Sequence, residues 1–547
     1  MYTLCALLPI LLALILMIWF RVQPGKALPV SLLLTALAGC FLWKMPLADI
    51  AAVTILGVLK SLDIILILFG AIFLLNILRT GGALDTMNRS LSSVSPDRRI
   101  QVIIIAWLFS NFIEGAAGFG AAPALAAPLL AGMGFPLIPA LMTSLVLNSL
   151  AVPFGAVGTP FLTAEATLKP GLTALGMDEA AFHAEMISDL TTISALSGAF
   201  LPFIAVSFMI CLSGGRNKLR SMAEIFPFAF FAGLAYVIPW KLTAVLLGPE
   251  LPSILGAVAA LFLIFPVLKT GVLTPRRIWD FPERQNGPEP GPGSAPGPAD
   301  KIPEGKQPVS PFRAWLPYGA IAVLLLATRL PFLPLKSFLA GTGILSLPEI
   351  FQVPGTDLRW AVLNNPGLFP FLIVALAAAR LYGIGPRPLA RVLCQSEKQI
   401  RMSAIAIASS FALVQIMIFS GGEGAPVPGM LTLIAQGAAD LMGRAYVAAA
   451  PVIGALGSFF SGSCTVSNIL FCQIQFDTAH LLHLPEPLIA ALQNVGGGLG
   501  SMIRISGIVA ACATVNARGL EGRLILLNAV PAAVMVILSL LAALILL

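Results

Sequence analysis

The sequence predicts an all-α polytopic membrane protein of about 11 to 14 transmembrane helices, built as two repeats with re-entrant or broken helices. Of its 547 residues 58% are hydrophobic and only 10% charged, and the mean hydropathy is +0.94; an ordinary soluble domain carries about a quarter charged residues. Apolar stretches of about 20 residues, the length that crosses a bilayer, recur along nearly the whole chain. Two of these stretches are repeatedly interrupted by Gly and Pro, one in each half.

Taken in order, spans are expected near 2–20, 27–43 and 50–78, followed by a basic loop with Arg79, Arg89, Arg98 and Arg99. The first stretch sits where a signal peptide would, but it lacks a basic leader and no small-residue cleavage site precedes Arg21 and Lys26, so it reads as a retained helix. The first Gly-broken region covers about 100–160. Residues 163–187, with Glu165, Asp178, Glu179 and Glu185, read as amphipathic or extramembrane. Spans near 189–212, 223–240 and 252–268 complete an N-terminal transmembrane repeat, 1–270.

Residues 271–312 form a linker, cytoplasmic by its charge, whose core is too rich in Pro, Gly and charge to bury a core. The C-terminal repeat, 313–547, has spans near 313–330, 367–382, 400–420 and 524–547, an exterior loop at 331–366 and the second Gly-broken region at about 446–512. The basic cluster Arg380, Arg387, Arg391, Lys398 and Arg401 falls on the side of the linker if the helices alternate. Basic loops mark the cytoplasmic face, which puts the N-terminus outside.

The net charge of +7 comes from such loops and does not indicate nucleic acid. Seven cysteines without CxxC spacing suggest neither a disulfide framework nor a metal site, and His480 with His483 lacks a close Cys. No cofactor and no metal are expected. The implied partners are the lipid bilayer and a small organic anion.

Lipid offers backbone groups no hydrogen-bond partner, so broken helices survive only where protein or a wet cavity satisfies them. The first region runs from Ser110 through NFIEGAAGFGAAPALAAP to Asn148 and PFGAVGTP (153–160); the second runs from SFFSGSCTVSN (458–468) to QNVGGGLGSMIRISG (493–507). Each holds a Phe-x-x-Gly turn, Phe112 with Gly115 and Phe459 with Gly462. Asn148 lies 33 residues after Gly115, and Asn494 lies 32 after Gly462. Matching interruptions in two halves point to a transporter's central site, the alternative being glycines that merely permit close helix packing.

Glu114 is the sharpest single residue, because an ionisable carboxylate in an apolar stretch faces the bundle interior or water. It is the candidate for carrying a coupled proton; the alternative is a carboxylate bonded permanently to its own turn. Arg504 is the candidate for binding the anion, since its planar fork suits a carboxylate, against pairing with Glu114 or snorkelling to an interface. Ser110, Asn111, Gly115, Gly118, Asn148, Ser461, Gly462, Ser463, Thr465, Ser467, Asn468, Gln493 and Asn494 complete the candidate substrate and ion site. Glu423 and Asp440 are weaker candidates. An enzyme using Ser461 or Cys464 as nucleophile is the remote alternative, because no His lies in either region to serve as its base.

EGAAGFG at 114–120 with NSLAVPFGAVGTP at 148–160, and GALGSFFSGSCTVSN at 454–468 with NILF at 468–471, resemble the two signatures of the L-lactate permease family, which includes glycolate permeases. The resemblance implies import of short 2-hydroxy monocarboxylates across the bacterial cytoplasmic membrane by proton symport. It also implies kinship with ion-coupled transporters that have inverted repeats, a site between two hairpin tips and an elevator-like motion. A sodium-coupled or exporting carrier of another small organic anion is the rival reading.

The chain departs from the family pattern at charged positions. Cys464 stands where an Asp is common. Where the family has a Lys followed by Met-Ile-Ser-Pro-Gln, this chain has Ser501-Met502-Ile503-Arg504-Ile505-Ser506. An acid and a base that compensate each other can be lost together at little electrostatic cost; if the Asp carried the coupled proton, Glu114 does so here, or the coupling or the substrate differs.

Overall fold

The computed structural model describes residues 2–18, 20, 22–92, 94–118, 120–213, 217–281, 309–329, 335–365, 370–421, 425–515, 517 and 519–547. Eleven helices among these are long and apolar enough to cross a membrane. The chain is a polytopic α-helical membrane protein. The strands among the described residues form one small antiparallel hairpin, Ile344–Leu347 with Leu358–Ala361, in register Ile344 to Ala361.

One order of elements occurs twice. A 34-residue helix, Leu47–Thr80, is followed by the short amphipathic helix Ala83–Ser92, the broken arm Arg98–Ala117, the return arm Ala121–Gly132, and then Leu137–Asn148 and Gly155–Ala174 on either side of a break. A second 34-residue helix, Pro386–Phe419, precedes Met430–Met442, the arm Tyr446–Ser461, the return arm Cys464–Leu481, and then Glu486–Gly500 and Ile505–Thr514 around another break. The two long helices cross where Gly57 lies on the Ala412 backbone, so closely that a Cβ would overlap it. Only a glycine lets backbones approach that far.

The two hairpins enter from opposite ends of the molecule. The base of the first lies beside Phe135, whose ring meets Phe281 and the Arg98 guanidinium. The base of the second lies beside Phe182, whose ring meets Phe476, and beside Gly171, which packs on Gln473 and Phe476. The broken helix 137–174 runs between those ends, starting at the first and finishing at the second.

The apolar core falls into two clusters. One combines the first two helices with parts of Leu47–Thr80 and Pro386–Phe419 and with Met430, Leu431 and Ile434; the other holds the first hairpin, both broken helices and helices 179–270. Val466, Ile469, Leu470 and Ile474 belong to the first cluster, so the return arm Cys464–Leu481 is where the two bodies meet.

Residues 163–174 follow the amphipathic of the two readings given for 163–187: they continue a helix whose inner face buries Thr163, Ala164, Thr167, Leu168 and Leu172, while the charges occupy the other faces. Two local expectations change. Arg387, Arg391, Lys398 and Arg401 lie on the first half of Pro386–Phe419 rather than in a loop, on an amphipathic stretch that keeps Val392, Ser396 and Ile400 buried. The span expected near 367–382 is a short helix, Leu372–Leu381.

Most of the expected linker, 282–308, and the side chain of Arg89 lie outside the described residues. The linker's first residues do not hang free. Asp97 and Arg99 form a buried ion pair at 2.7 Å, Arg99 donates to Arg277 O and Ser221 O, both at 2.8 Å, and Asp97 accepts from Trp279 N–H at 3.1 Å. Residues 277–281 are thereby strapped across the end of the first hairpin.

Candidate transport site

The first hairpin opens at Gly118 and Gly120, whose φ values of +58° and +83° reverse the chain between its arms. Glycine takes such angles without the Cβ clash that other residues meet. The arm Ser110–Ala117 ends there and carries Glu114, fully inside the protein, in its last turns. Glu114 Oε2 accepts from Asn148 Nδ2 at 3.0 Å, and Asn148 Oδ1 accepts from Ser110 Oγ at 3.3 Å. Gly118 packs against Ala156, and Gly115 against Ser253 and Ile254.

The break after Asn148 is sharper than glycine alone would give. Ala156, Val157 and Gly158 all have positive φ, +43°, +58° and +77°. A β-branched Val in this region is a genuine outlier, kept only where the surroundings over-determine it. Gly158 sits against the Pro249 carbonyl, and Asn468 Nδ2 donates to Pro160 O at 2.9 Å, holding the second half of the break from the opposite repeat.

The second hairpin turns at Gly462 (φ +73°), whose carbonyl accepts from Ser506 Oγ at 3.2 Å. Ser463 caps the return arm by accepting from Val466 N–H. The positive ends of Ala121–Gly132 and Cys464–Leu481 therefore point toward one place, where unpaired helical N–H groups favour an anion.

That place is a small cavity lined by Glu114, Val152, Gly155, Ala156, Pro160, Ser463, Cys464, Thr465 and Arg504. Its volume of about 10 Å³ accommodates about one water and no carboxylic acid. Arg504 is 3% exposed, and its Nε and Nη2 have no hydrogen-bond partner. Among the described residues it forms no ion pair with Glu114 or any other acid. A Cβ on Gly120 would stand 2.7 Å from Arg504 Nη2, so the first tip and the guanidinium are in direct apposition.

The other candidates separate into two groups. Ser463, Thr465, Glu114 and Arg504 line the cavity, with Asn148 and Ser110 one and two bonds behind Glu114. Ser467, Asn468, Gln493 and Asn494 instead form a buried amide network: Gln493 Nε2 donates to Ser467 Oγ at 3.0 Å, Asn468 Nδ2 to Asn494 Oδ1 at 2.6 Å, and Gln475 Nε2 to Gln493 Oε1. Ser461 bonds back to Gly457 O and forward to Ser463 O. With Gly462, Ser463 and Ser506 it also lines a second cavity of about 1170 Å³ bounded by Gln23, Ser403 and Glu521. Asn111 is fully buried, and both its amide atoms lack partners.

Asp440 is exposed on Met430–Met442, and Glu423 lies outside the described residues. His183 pairs with Glu165 and His480 with Glu486, whereas Cys464 Sγ approaches Asn494 O at 4.0 Å. The lining residues Val152, Gly155, Ala156 and Pro160 were not singled out by type. Only their place within NSLAVPFGAVGTP (148–160) signals them.

Two opposed hairpins whose tips share a polar cavity define a multi-pass membrane transport protein. The sequence profile of the L-lactate permease family matches residues 2–547, so the chain belongs to that family, whose members sit in the bacterial cytoplasmic membrane. A Haemophilus influenzae relative is 29% identical over 98% of this chain and 96% of its own length. The Escherichia coli glycolate permease GlcA is 28% identical and the Escherichia coli L-lactate permease 26%, each over 95% of this chain and 91% of its own. The solved structure of Neisseria gonorrhoeae MtrF, described with a class of antimetabolite efflux pumps, aligns with a TM-score of 0.43 and 14% identity over 88% of this chain and 80% of that one.

Proposed function

We propose that the protein imports L-lactate, glycolate or a related short 2-hydroxy monocarboxylate by proton symport. One observation carries the reading: Arg504 is buried with Nε and Nη2 unpartnered, on a cavity it shares with Glu114. Those two N–H groups lie on one edge of the guanidinium fork and match a carboxylate bidentately. The single cation selects a monocarboxylate, and Val152, Ala156 and Pro160 offer a small alkyl group an apolar wall. Glu114, already bonded to Asn148, is the proton carrier. The names of the lactate and glycolate permeases among the relatives support the substrate class.

Because the cavity holds only about one water, the substrate needs the hairpin tips to part. The basic ends of the chain suggest the orientation. Gly81 packs on Tyr382, Tyr382 Oη donates to Arg313 O, and Arg98 and Arg99 bind the strap, so one end gathers the positive charge and is assigned to the cytoplasm. The base of the second hairpin then faces outward, and residues 1–270 and 313–547 are inverted repeats.

The test is uptake of labelled lactate and glycolate into proteoliposomes under an imposed proton gradient. Accumulation that collapses with a protonophore is expected; no uptake of either acid overturns the substrate reading. A sodium-coupled carrier is the second reading, favoured by the Asn111 carbonyl oxygen, which is buried without a donor and would suit a cation. Accumulation driven by a sodium gradient alone would select it.

A further inference from the structure

Between Leu524 and Leu538 the helix Glu521–Ala543 has one polar side chain, Asn528, and it is fully buried. Its Nδ2 donates to Met502 O at 2.7 Å. Met502 lies in the break between Glu486–Gly500 and Ile505–Thr514, and Glu521–Ala543 packs against both of those helices. No backbone N–H among the described residues donates to Met502 O. A carbonyl freed by a broken helix at membrane depth must find its donor inside the protein, and the Asn528 amide supplies it.

Arg504 stands two residues beyond Met502. Two residues further on, Ser506 Oγ donates to Gly462 O at 3.2 Å, on the tip of the second hairpin. The chain is therefore anchored on both sides of Arg504, to the last helix before it and to the tip after it. The space around the side chain is shaped as well. A Cβ on Gly507 would stand 2.5 Å from Arg504 Nε and 2.9 Å from its Cγ. Gly507 lies within Ile505–Thr514 and is not among the residues of positive φ, so what it gives is room for the arginine rather than an unusual turn.

We propose that Asn528 is a positioning residue for Arg504, and that together with Gly507 it fixes the guanidinium in the orientation that meets the carboxylate. The proposal rests on the reading of Arg504 as the anion's partner. A bidentate fork gains most when both N–H groups are aimed before the anion arrives, and a supporting residue that lets it drift by about 1 Å forfeits much of that gain. Asn528 does not line the cavity. Its influence on substrate affinity passes through Arg504.

The experiment measures lactate uptake in proteoliposomes and thermal unfolding in detergent for Asn528→Leu, Gly507→Ala, Arg504→Ala and the double variant Asn528→Leu/Arg504→Ala. Leucine has nearly the shape of asparagine. It takes away the donor to Met502 O but also the Asn528 amide oxygen, which is buried without a partner, so the opposing effects should leave the unfolding temperature close to the parent's. Asn528→Leu and Gly507→Ala are each expected to raise the KM for lactate about 5- to 20-fold with little change in kcat. In the Arg504→Ala background Asn528→Leu should add nothing, because residues that act as one unit are not additive. The rise in unfolding temperature that lactate causes makes the same comparison without transport: it should shrink in Asn528→Leu and vanish in Arg504→Ala. A parental KM in either single variant, even with a lowered unfolding temperature, overturns the positioning role, as does full multiplication of the two effects in the double variant. An Arg504→Ala protein with the parental KM instead overturns the reading of Arg504, and a parent neither transporting lactate nor stabilised by it overturns the carboxylate reading.

Discussion

Glu114 and Arg504 face one cavity from opposite halves of the chain, and no ion pair joins them. Had they neutralised each other, the cavity would be a structural salt bridge with nothing left to bind. Glu114 instead has a neutral partner, Asn148, and Arg504 keeps two N–H groups free. An acid that can take a proton and a base that can take a carboxylate therefore remain separately available.

Glu114→Gln keeps the hydrogen bond from Asn148 while removing the carboxylate proposed to carry the proton. The variant should fold and exchange lactate across the membrane at equal concentrations, but it should not accumulate lactate against a gradient. Counterflow and proton-driven uptake measured on the same vesicles separate the two. Full accumulation by this variant would remove Glu114 from coupling.

Arg504→Ala deletes the proposed charged partner of the anion, and hydrogen bonds to charged groups contribute about 1.5–3 kcal/mol each. The KM for lactate should rise about 10- to 100-fold. Arg504→Lys should recover only part of the loss, because an ammonium lacks the planar fork. Because no hydrogen bond or ion pair within the described residues is lost from its Nε and Nη2, the yield of folded protein should hold. A KM unchanged in the Ala variant would refute the anion-binding role.

Much of this was legible in the sequence, for reasons that can be named. Glu114 stood out because a carboxylate in EGAAGFG has no cheap place in lipid, and the matched Phe-x-x-Gly turns located both hairpin tips. Asn468 and Gln493 looked the same as Thr465 on paper, because an amide that lines a cavity and one that ties helices together have the same composition and spacing. Only the partners distinguish them. The Asp97–Arg99 pair is hidden because the carbonyls it holds lie more than 100 residues away, at Ser221 and Arg277.

Gly120→Ala tests the apposition of the first tip and Arg504. The left-handed conformation at φ +83° costs a side chain roughly 1–2 kcal/mol, and the new Cβ would press on Nη2 at 2.7 Å. Substrate affinity should fall while the thermal stability of the purified protein changes by only a few degrees. Wild-type KM would show that the tip and the guanidinium are not in contact during transport.

Asn468 joins three broken elements by donating to Pro160 O and Asn494 Oδ1. Asn468→Ala leaves Asn494 Oδ1 buried without a donor, at about 1–3 kcal/mol, and removes the cross-repeat bond to Pro160 O. Unlike the Arg504 variants, it should lower the unfolding temperature in detergent and reduce kcat. A variant as stable as the parent, altered in KM alone, would place Asn468 among the substrate contacts instead.

Asp97 supports the far end of the first hairpin rather than its tip. It is 4% exposed and binds Arg99 in an ion pair that also holds the Arg277 carbonyl and Trp279 N–H. Removing one partner of a buried pair costs up to about 3–5 kcal/mol, and here Arg99 would keep only its longer ion pair with Glu224 at 3.9 Å. In Asp97→Ala the strap should therefore detach before the membrane core unfolds. Limited trypsin digestion followed by mass analysis reads this directly: cleavage after Arg277 should accelerate relative to the parent. Equal rates at Arg277 in parent and variant would mean that Phe281, packed on Phe135, holds the strap without the ion pair.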